Sequence, residues 1–203
     1  MERTDTRRLT TLAIFTALIL VLQLVAALLS RFTPLPVSIT LTLVPIVVGA
    51  AIYGVSAGAY LGGVMGVVVL LFCIIGLDAG GAMLWNANPL LCAVVCLVKG
   101  IAAGAVAAVV YRALSGKNKT AAAIVAGVCA PTTNTAIFVA GMFLFFKDTL
   151  MVWTDGWAAQ TGHTANPVFY AILGLTGINY LLEVAVNLVL APIIVRIIEA
   201  RQK

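Results

Sequence analysis

The chain has 203 residues, of which 63% are hydrophobic and only 9% are charged, and its net charge at pH 7 is +5. A water-soluble domain carries about 25% charged residues, because its surface must be hydrated. The composition therefore excludes a soluble catalytic domain and predicts a single integral membrane domain, residues 1–203. The positive charges lie at the chain ends and around apolar runs, as in membrane proteins, and not in a nucleic-acid-binding patch.

Six apolar runs are predicted to cross the membrane. A spanning helix needs about 20 mostly apolar residues, and lipid tolerates only helices or closed barrels, whose strict alternation is missing here. The fold class is therefore predicted to be an all-α membrane protein, a six-transmembrane-helix bundle with both termini on the same side. The predicted spans are 9–29, 39–53, 55–76, 89–112, 120–146 and 168–195.

The first run follows a positively charged N-terminus, so a signal peptide is the alternative to a retained helix. The run is long enough to span, and no small-residue cleavage site follows it, so we expect it to be retained. Ala13 and Ala17 lie four residues apart on this span and form a small-residue face. Small residues let a neighbouring helix approach closely in a membrane.

The third span carries glycines at steps of four, at Gly54, Gly58, Gly62 and Gly66. Such a strip permits close contact between helix backbones. The partner helix is expected to belong to the same bundle, and a separate protein is the alternative.

The fourth span carries Cys92 and Cys96 on one helical face, followed by Lys99. No CxxC pair or nearby histidine accompanies the cysteines, so we expect small buried hydrophobic residues and no metal site. Lys99 falls near the middle of the hydrocarbon, where an ionisable group costs at least roughly 2.5 kcal/mol and needs a partner.

The fifth and sixth spans supply further polar groups at membrane depth. Asn134 follows Pro131, whose missing N–H loosens the helix. Glu183 lies near the middle of the sixth span. Together with Lys99, Asn134 and Glu183 are further candidate substrate-binding residues. Two interpretations stay open: Lys99 and Glu183 pair with each other and join two spans, or Lys99 faces an anionic ligand.

The connections on the side opposite the termini hold all three tryptophans. They are residues 30–38, 77–88 and 147–167. Tryptophan also forms belts at membrane interfaces, but the asparagines among these residues favour a ligand site that is open to the outside. The candidate binding residues in or beside these connections are Trp85, Asn86, Asn88, Phe143, Trp153 and Asn166.

Lysine and arginine are distributed unevenly between the two sides. Cytoplasmic connections are rich in both residues, so the termini are predicted to lie in the cytoplasm and the protein in the cell membrane. Arg31 and Lys147 would lie outside. The inner residues would be Arg3, Arg7, Arg8, Arg112, Lys117, Lys119, Arg196, Arg201 and Lys203.

The sequence offers no recognisable catalytic set. His163 is the single histidine, and HExxH, GxSxG and P-loop motifs are all missing. The chain is therefore predicted not to be an enzyme and to need no cofactor. Any active transport would draw its energy from a gradient or from partner proteins.

Several stretches, in their order along the chain, resemble the substrate-binding (S) component of energy-coupling factor (ECF) vitamin transporters. The resemblance covers essentially the whole length. It rests on Ala13-xxx-Ala17, LVPIVVGAAIYGVSAGAYLGGVMG (43–66), NPLLCAVVCLVKGIAAG (88–104), TNTAIFVAG (133–141) and LLEVAVNLVLAP (181–192).

The resemblance implies a six-helix bundle that binds a water-soluble vitamin near the outer surface. It also implies a membrane coupling protein and two cytoplasmic ATPases as partners, with Ala13 and Ala17 as the docking face for the coupling protein. Pantothenate is the leading vitamin, because TNTAIFVAG and NPLL are similar to that subgroup and Lys99 would suit a carboxylate. Riboflavin and folate stay open, since aromatic residues are available to stack on a flat ring.

Two other functions are weighed against this one. A solitary proton-coupled secondary transporter would use Lys99 and Glu183 as a relay, but such proteins usually show internal repeats with broken helices, and none is evident here. A small membrane enzyme would need a nucleophile, acid or metal set at membrane depth, where only these two ionisable groups are available.

Overall fold

The computed structural model describes residues 2–30 and 42–202, and the described residues form helices without any strand. The helices are α1 (Glu2–Ser30), α2 (Leu43–Tyr53), α3 (Val55–Ile74), α4 (Ala79–Ala87), α5 (Pro89–Ser115), α6 (Lys119–Phe145), α7 (Lys147–Thr161), α8 (Pro167–Phe169) and α9 (Ile178–Gln202), with a π-helical segment, Tyr170–Gly177, between α8 and α9.

The prediction of an all-helical membrane bundle is confirmed. Five stretches are long and apolar enough to cross a membrane, and α2 is a shorter apolar helix. Residues 39–41, the start of the predicted second span, lie outside the described residues. The five stretches are Thr6–Leu28, Val55–Ile74, Pro89–Ser115, Lys119–Phe145 and Pro167–Leu190.

Helix α3 packs against α5, which in turn packs against α6, and α6 contacts α9. The contact between α3 and α5 is made through backbone. A Cβ atom on Gly58 would overlap the carbonyl oxygen of Gly104, and one on Gly62 would overlap that of Gly100. A Cβ atom on Gly66 would lie 2.6 Å from the carbonyl oxygen of Cys96. The glycine strip therefore packs inside the bundle, as the sequence predicts.

Gly54 has a different role from the other three glycines. It lies between α2 and α3 with φ of +82°, and an added Cβ would meet nothing within 4 Å. A left-handed backbone is strained for other residues, so glycine is favoured at this break. Gly54 was expected to belong to the packed strip, and the structure corrects that expectation.

Helix α6 continues through Pro131 without a break. The hydroxyl of Thr132 donates to the carbonyl oxygen of Val128 at 2.7 Å, and that of Thr133 donates to the carbonyl oxygen of Cys129 at 2.8 Å. Both threonine hydroxyls thus bond to backbone carbonyls in the turn that contains the proline.

The connections 77–88 and 147–167 fold into short helices, which the sequence did not predict. Asp78 caps α4, because its carboxylate accepts a hydrogen bond from the Gly81 N–H at 3.0 Å. Helix α7 buries Leu150 and Thr154 against the bundle. Both helices lie at the same end of the molecule and contact each other.

Candidate ligand-binding cavity

A partly enclosed cavity of about 160 Å³ lies among the helices. Its side walls come from α1, α3, α5, α6 and the π-helical segment with the start of α9. Helices α4 and α7 cover one end of it. The polar residues that line it are Gln23, Asp78, Lys99, Asn134, Thr135, Thr176 and Asn179.

Lys99 supplies a positive charge to the cavity wall. It is half-buried on α5, and its Nζ lies 4.9 Å from the centroid of the Phe138 ring. A cation over an aromatic face is attracted by the ring quadrupole. The ammonium lies over this ring in the cavity wall, and the two sequence interpretations of Lys99 stay predictions.

Two asparagines present hydrogen-bonding groups to the cavity from neighbouring helices. Asn134 on α6 is 9% exposed, and Asn179 lies near the start of α9. The side-chain oxygens of both are buried without a hydrogen-bond partner among the described residues. Buried polar atoms are nearly always satisfied, so these oxygens are suited to receive donors from a ligand.

Glu183 lies behind the cavity wall. It is 1% exposed, and its Oε1 accepts a hydrogen bond of 3.1 Å from Asn179 Nδ2. Its backbone carbonyl accepts a second bond, of 2.8 Å, from Asn187 Nδ2. Glu183 therefore orients Asn179 toward the cavity.

The π-helical segment gives the cavity a further wall. The hydroxyl of Thr176 donates to the carbonyl oxygen of Ala171 at 2.7 Å, five residues back, as the wider turn allows. Leu175 and Thr176 both line the cavity although they are adjacent in sequence. π-Helical turns are frequent at functional sites, where they re-aim side chains.

Helices α4 and α7 close one end of the cavity together. Trp153 lines the cavity from α7, and its Nε1 donates to Met83 Sδ on α4 at 3.3 Å. Leu84 and Phe146 lie in the wall beneath them. Leu84 of α4 and Phe146, the residue that precedes α7, are buried apolar side chains that shield the ligand space.

Comparison with known proteins decides the family. Residues 7–195 match the family described as "ECF transporter, substrate-specific component". The chain belongs to this family. It is also 25% identical to the pantothenic acid transporter PanT of Lactococcus lactis subsp. cremoris, over 96% of this chain and 95% of that protein.

Membership confirms the resemblance predicted from the sequence. An ECF substrate-specific component is a transport protein and not an enzyme, and this one is a multi-pass protein of the plasma membrane. The cavity described above is therefore the candidate substrate site of this ECF component.

Three of the predicted site residues meet in the cavity of the ECF component: Lys99, Asn134 and Trp153. They come from α5, α6 and α7. Their side chains reach one space because α5 and α6 pack side by side and α7 covers the end of the cavity.

The other predicted binding residues lie elsewhere. Trp85 and Phe143 are half-buried and pack against an apolar cluster next to the cavity, and Asn86 is exposed. Asn88 and Asn166 cap helices: Asn88 accepts from the Leu91 N–H at 3.1 Å, and Asn166 accepts from the N–H groups of the first turn of α8.

Sequence reasoning missed several wall residues. Gln23 is 4% exposed on α1, and its Nε2 donates to Thr42 Oγ1 at 3.3 Å. Gln23 is a single amide inside an otherwise apolar run, and this could have predicted that it faces the bundle interior. Asn179, four residues before Glu183, had the same signal. Phe138 gave none, because phenylalanine is ordinary in a membrane helix.

The two alanines on α1 lie away from the cavity. Ala13 and Ala17 are both exposed on the helix surface, as are the apolar residues next to them, Ile14 and Leu18. This face of the ECF component is therefore open to lipid or to another protein.

Proposed function

We propose that this ECF substrate-specific component binds pantothenate from the outer side of the membrane and delivers it with a membrane coupling protein and two cytoplasmic ATPases. The observation that carries the proposal is the Lys99 ammonium in a small, largely apolar cavity. The similarity to a pantothenic acid transporter along nearly the full chain supports the choice of vitamin.

The wall chemistry suits the parts of pantothenate. Its carboxylate would face Lys99, since a charge-assisted hydrogen bond in a low-dielectric site is strong. Its hydroxyl and amide donors would bond to the side-chain oxygens of Asn134 and Asn179. Its methyl groups would pack on the apolar wall around Phe138.

Cavity size supports a compact vitamin. The volume of about 160 Å³ is smaller than the roughly 300–1,000 Å³ of pockets for drug-sized ligands. Riboflavin and folate carry fused rings that would need more room. A short, flexible molecule such as pantothenate fits this cavity with less rearrangement.

The proposed topology has six crossings with both termini in the cytoplasm. Helix α2 would make the second crossing together with the residues before it. The excess of lysine and arginine at the termini and between α5 and α6 supports this orientation. Helices α4 and α7 would then cover the cavity on the outer side.

Ala13 and Ala17 are proposed as the docking face for the coupling protein. Both are exposed, and small residues four apart let a partner helix approach closely. The absence of a P-loop in the sequence agrees with ATP hydrolysis by other subunits.

The proposal is tested by identifying the small molecule that the purified protein carries. The protein is purified in detergent from cells grown with pantothenate, riboflavin and folate, and its extract is analysed by mass spectrometry. We expect pantothenate in near one-to-one amount, and less of it in a Lys99→Met variant of equal thermal stability. Riboflavin or folate in its place would overturn the choice of vitamin.

A further inference from the structure

Three cysteine thiols meet at the cavity wall. Cys73 lies at the end of α3, and Cys92 and Cys96 lie on the first turns of α5. The three Sγ atoms all lie within 4.8 Å of one another, and the residues are 2%, 1% and 5% exposed. All three line the cavity.

Although the sequence alone led us to expect no metal site at Cys92 and Cys96, we propose that these three thiols form a binding site for a thiophilic divalent cation such as Zn²⁺. Thiolates are soft ligands that select metals of this kind. Zinc–sulfur bonds of about 2.3 Å in a tetrahedral arrangement place the sulfurs about 3.8 Å apart. Thiols that already lie within 4.8 Å reach this geometry through small side-chain rotations.

Charge balance favours a divalent over a monovalent cation. Three thiolates and one divalent cation leave a charge of −1. Lys99, on the same face of α5 and one turn beyond Cys96, would offset that charge while no anionic ligand is bound. The nearby Asp78 carboxylate adds a further negative charge, which the N-terminus of α4 offsets only in part, so a divalent cation is favoured still more. A monovalent cation would leave a second negative charge in a buried place, at a large cost.

The packing around Cys73 leaves room for its thiol beside α4. A Cβ atom on Gly81 would overlap Cys73 Sγ and would lie 3.0 Å from Asp78 Oδ2. Glycine at this position therefore lets the thiol turn toward the other two sulfurs. The cavity gives a cation a path to the three thiols, and it leaves the fourth coordination position open to a water molecule.

The test uses the whole protein, purified without an affinity tag and kept reduced. Cd²⁺ is titrated in, and the thiolate-to-metal charge-transfer absorption is followed; bound Zn²⁺ is counted by mass spectrometry. We expect one metal ion per chain, with the absorption of three thiolates per Cd²⁺. No stoichiometric uptake, or absorption from fewer than three thiolates, would overturn the proposal.

Variants give a second readout with a matched control. Cys73→Ser and Cys96→Ser are expected to weaken Zn²⁺ binding at least tenfold, whereas Cys129→Ser, which changes the cysteine on α6 outside the cluster, should leave it unchanged. Equal binding by all three variants would contradict the site. If a variant of a cluster cysteine fails to fold, the Cd²⁺ spectrum of the unmodified chain still shows whether three thiolates bind the metal. None of these measurements involves the vitamin, so they are independent of the proposed transport function.

Discussion

Lys99 Nζ lies 4.9 Å from the centroid of the Phe138 ring, inside a cavity whose remaining wall is largely apolar. The ring orients the ammonium without neutralising it, because a cation–π contact leaves the charge available to an anion. A lysine deep in a membrane helix can thus keep its charge available at the cavity wall.

Replacing Lys99 with methionine is expected to weaken pantothenate binding at least tenfold, because a hydrogen bond to a charged group is worth about 1.5–3 kcal/mol. Isothermal titration in detergent measures the affinity. Lys99→Arg, which keeps the charge, should retain most of the binding. Equal affinity in a stable Lys99→Met variant would assign the residue to structure alone.

Glu183 is expected to act on binding through Asn179, whose Nδ2 donates to it at 3.1 Å. Glu183→Leu removes the acceptor, so we expect a several-fold loss of pantothenate affinity and a loss of about 1–3 kcal/mol in stability. Glu183→Gln keeps a side-chain oxygen acceptor and should rescue most of the affinity. If the two variants bind pantothenate equally, Glu183 does not position Asn179.

The backbone contact between α3 and α5 leads to a stability prediction. Gly62→Ala places a Cβ against the carbonyl oxygen of Gly100, and such overpacking costs about 1–3 kcal/mol. Gly63→Ala is the matched control, because its Cβ would lie 3.4 Å from the Ile101 side chain. Thermal unfolding should show a lower Tm for Gly62→Ala only. Similar Tm values for the two variants would mean that the contact between α3 and α5 can adjust to an added methyl group.

Bulky residues on the exposed face of α1 are expected to block assembly without affecting binding. Ala13→Trp and Ala17→Trp should leave pantothenate affinity unchanged while reducing co-purification of the coupling protein. Ala121→Trp, on an exposed alanine of α6, is the control and should assemble normally. Lost binding with assembly retained would contradict the docking role.

Much of the helical fold could be predicted from the length of the apolar runs. A bilayer of fixed thickness requires spanning helices of about 20 mostly apolar residues. The position of Lys99 and Asn134 in the cavity wall was predictable, since polar groups at membrane depth are costly and favour the bundle interior. Asn88 and Asn166 were predicted to bind ligand, but in the structure both cap helices. Each precedes a proline, and asparagine before proline is a frequent helix start. The Asn-Pro pairs could therefore have been interpreted as helix starts from the sequence.

Other features depend on tertiary packing, and sequence spacing does not reveal them. Cys73 joins Cys92 and Cys96 only because the glycines of α3 let that helix lie against α5. Phe138 becomes a cation-binding ring only because α6 lies beside Lys99. The π-helical turn that brings Leu175 and Thr176 into one wall has no sequence signal of its own.

The carboxylate of the ligand is central to the account, and one comparison tests it directly. Equilibrium dialysis of the purified protein measures its affinity for pantothenate and for panthenol, in which an alcohol replaces the carboxylate. We predict saturable one-to-one binding of pantothenate and at least tenfold weaker binding of panthenol, with the difference lost in Lys99→Met. Equal binding of the two molecules by the unmodified protein, or no binding of pantothenate, would contradict the account.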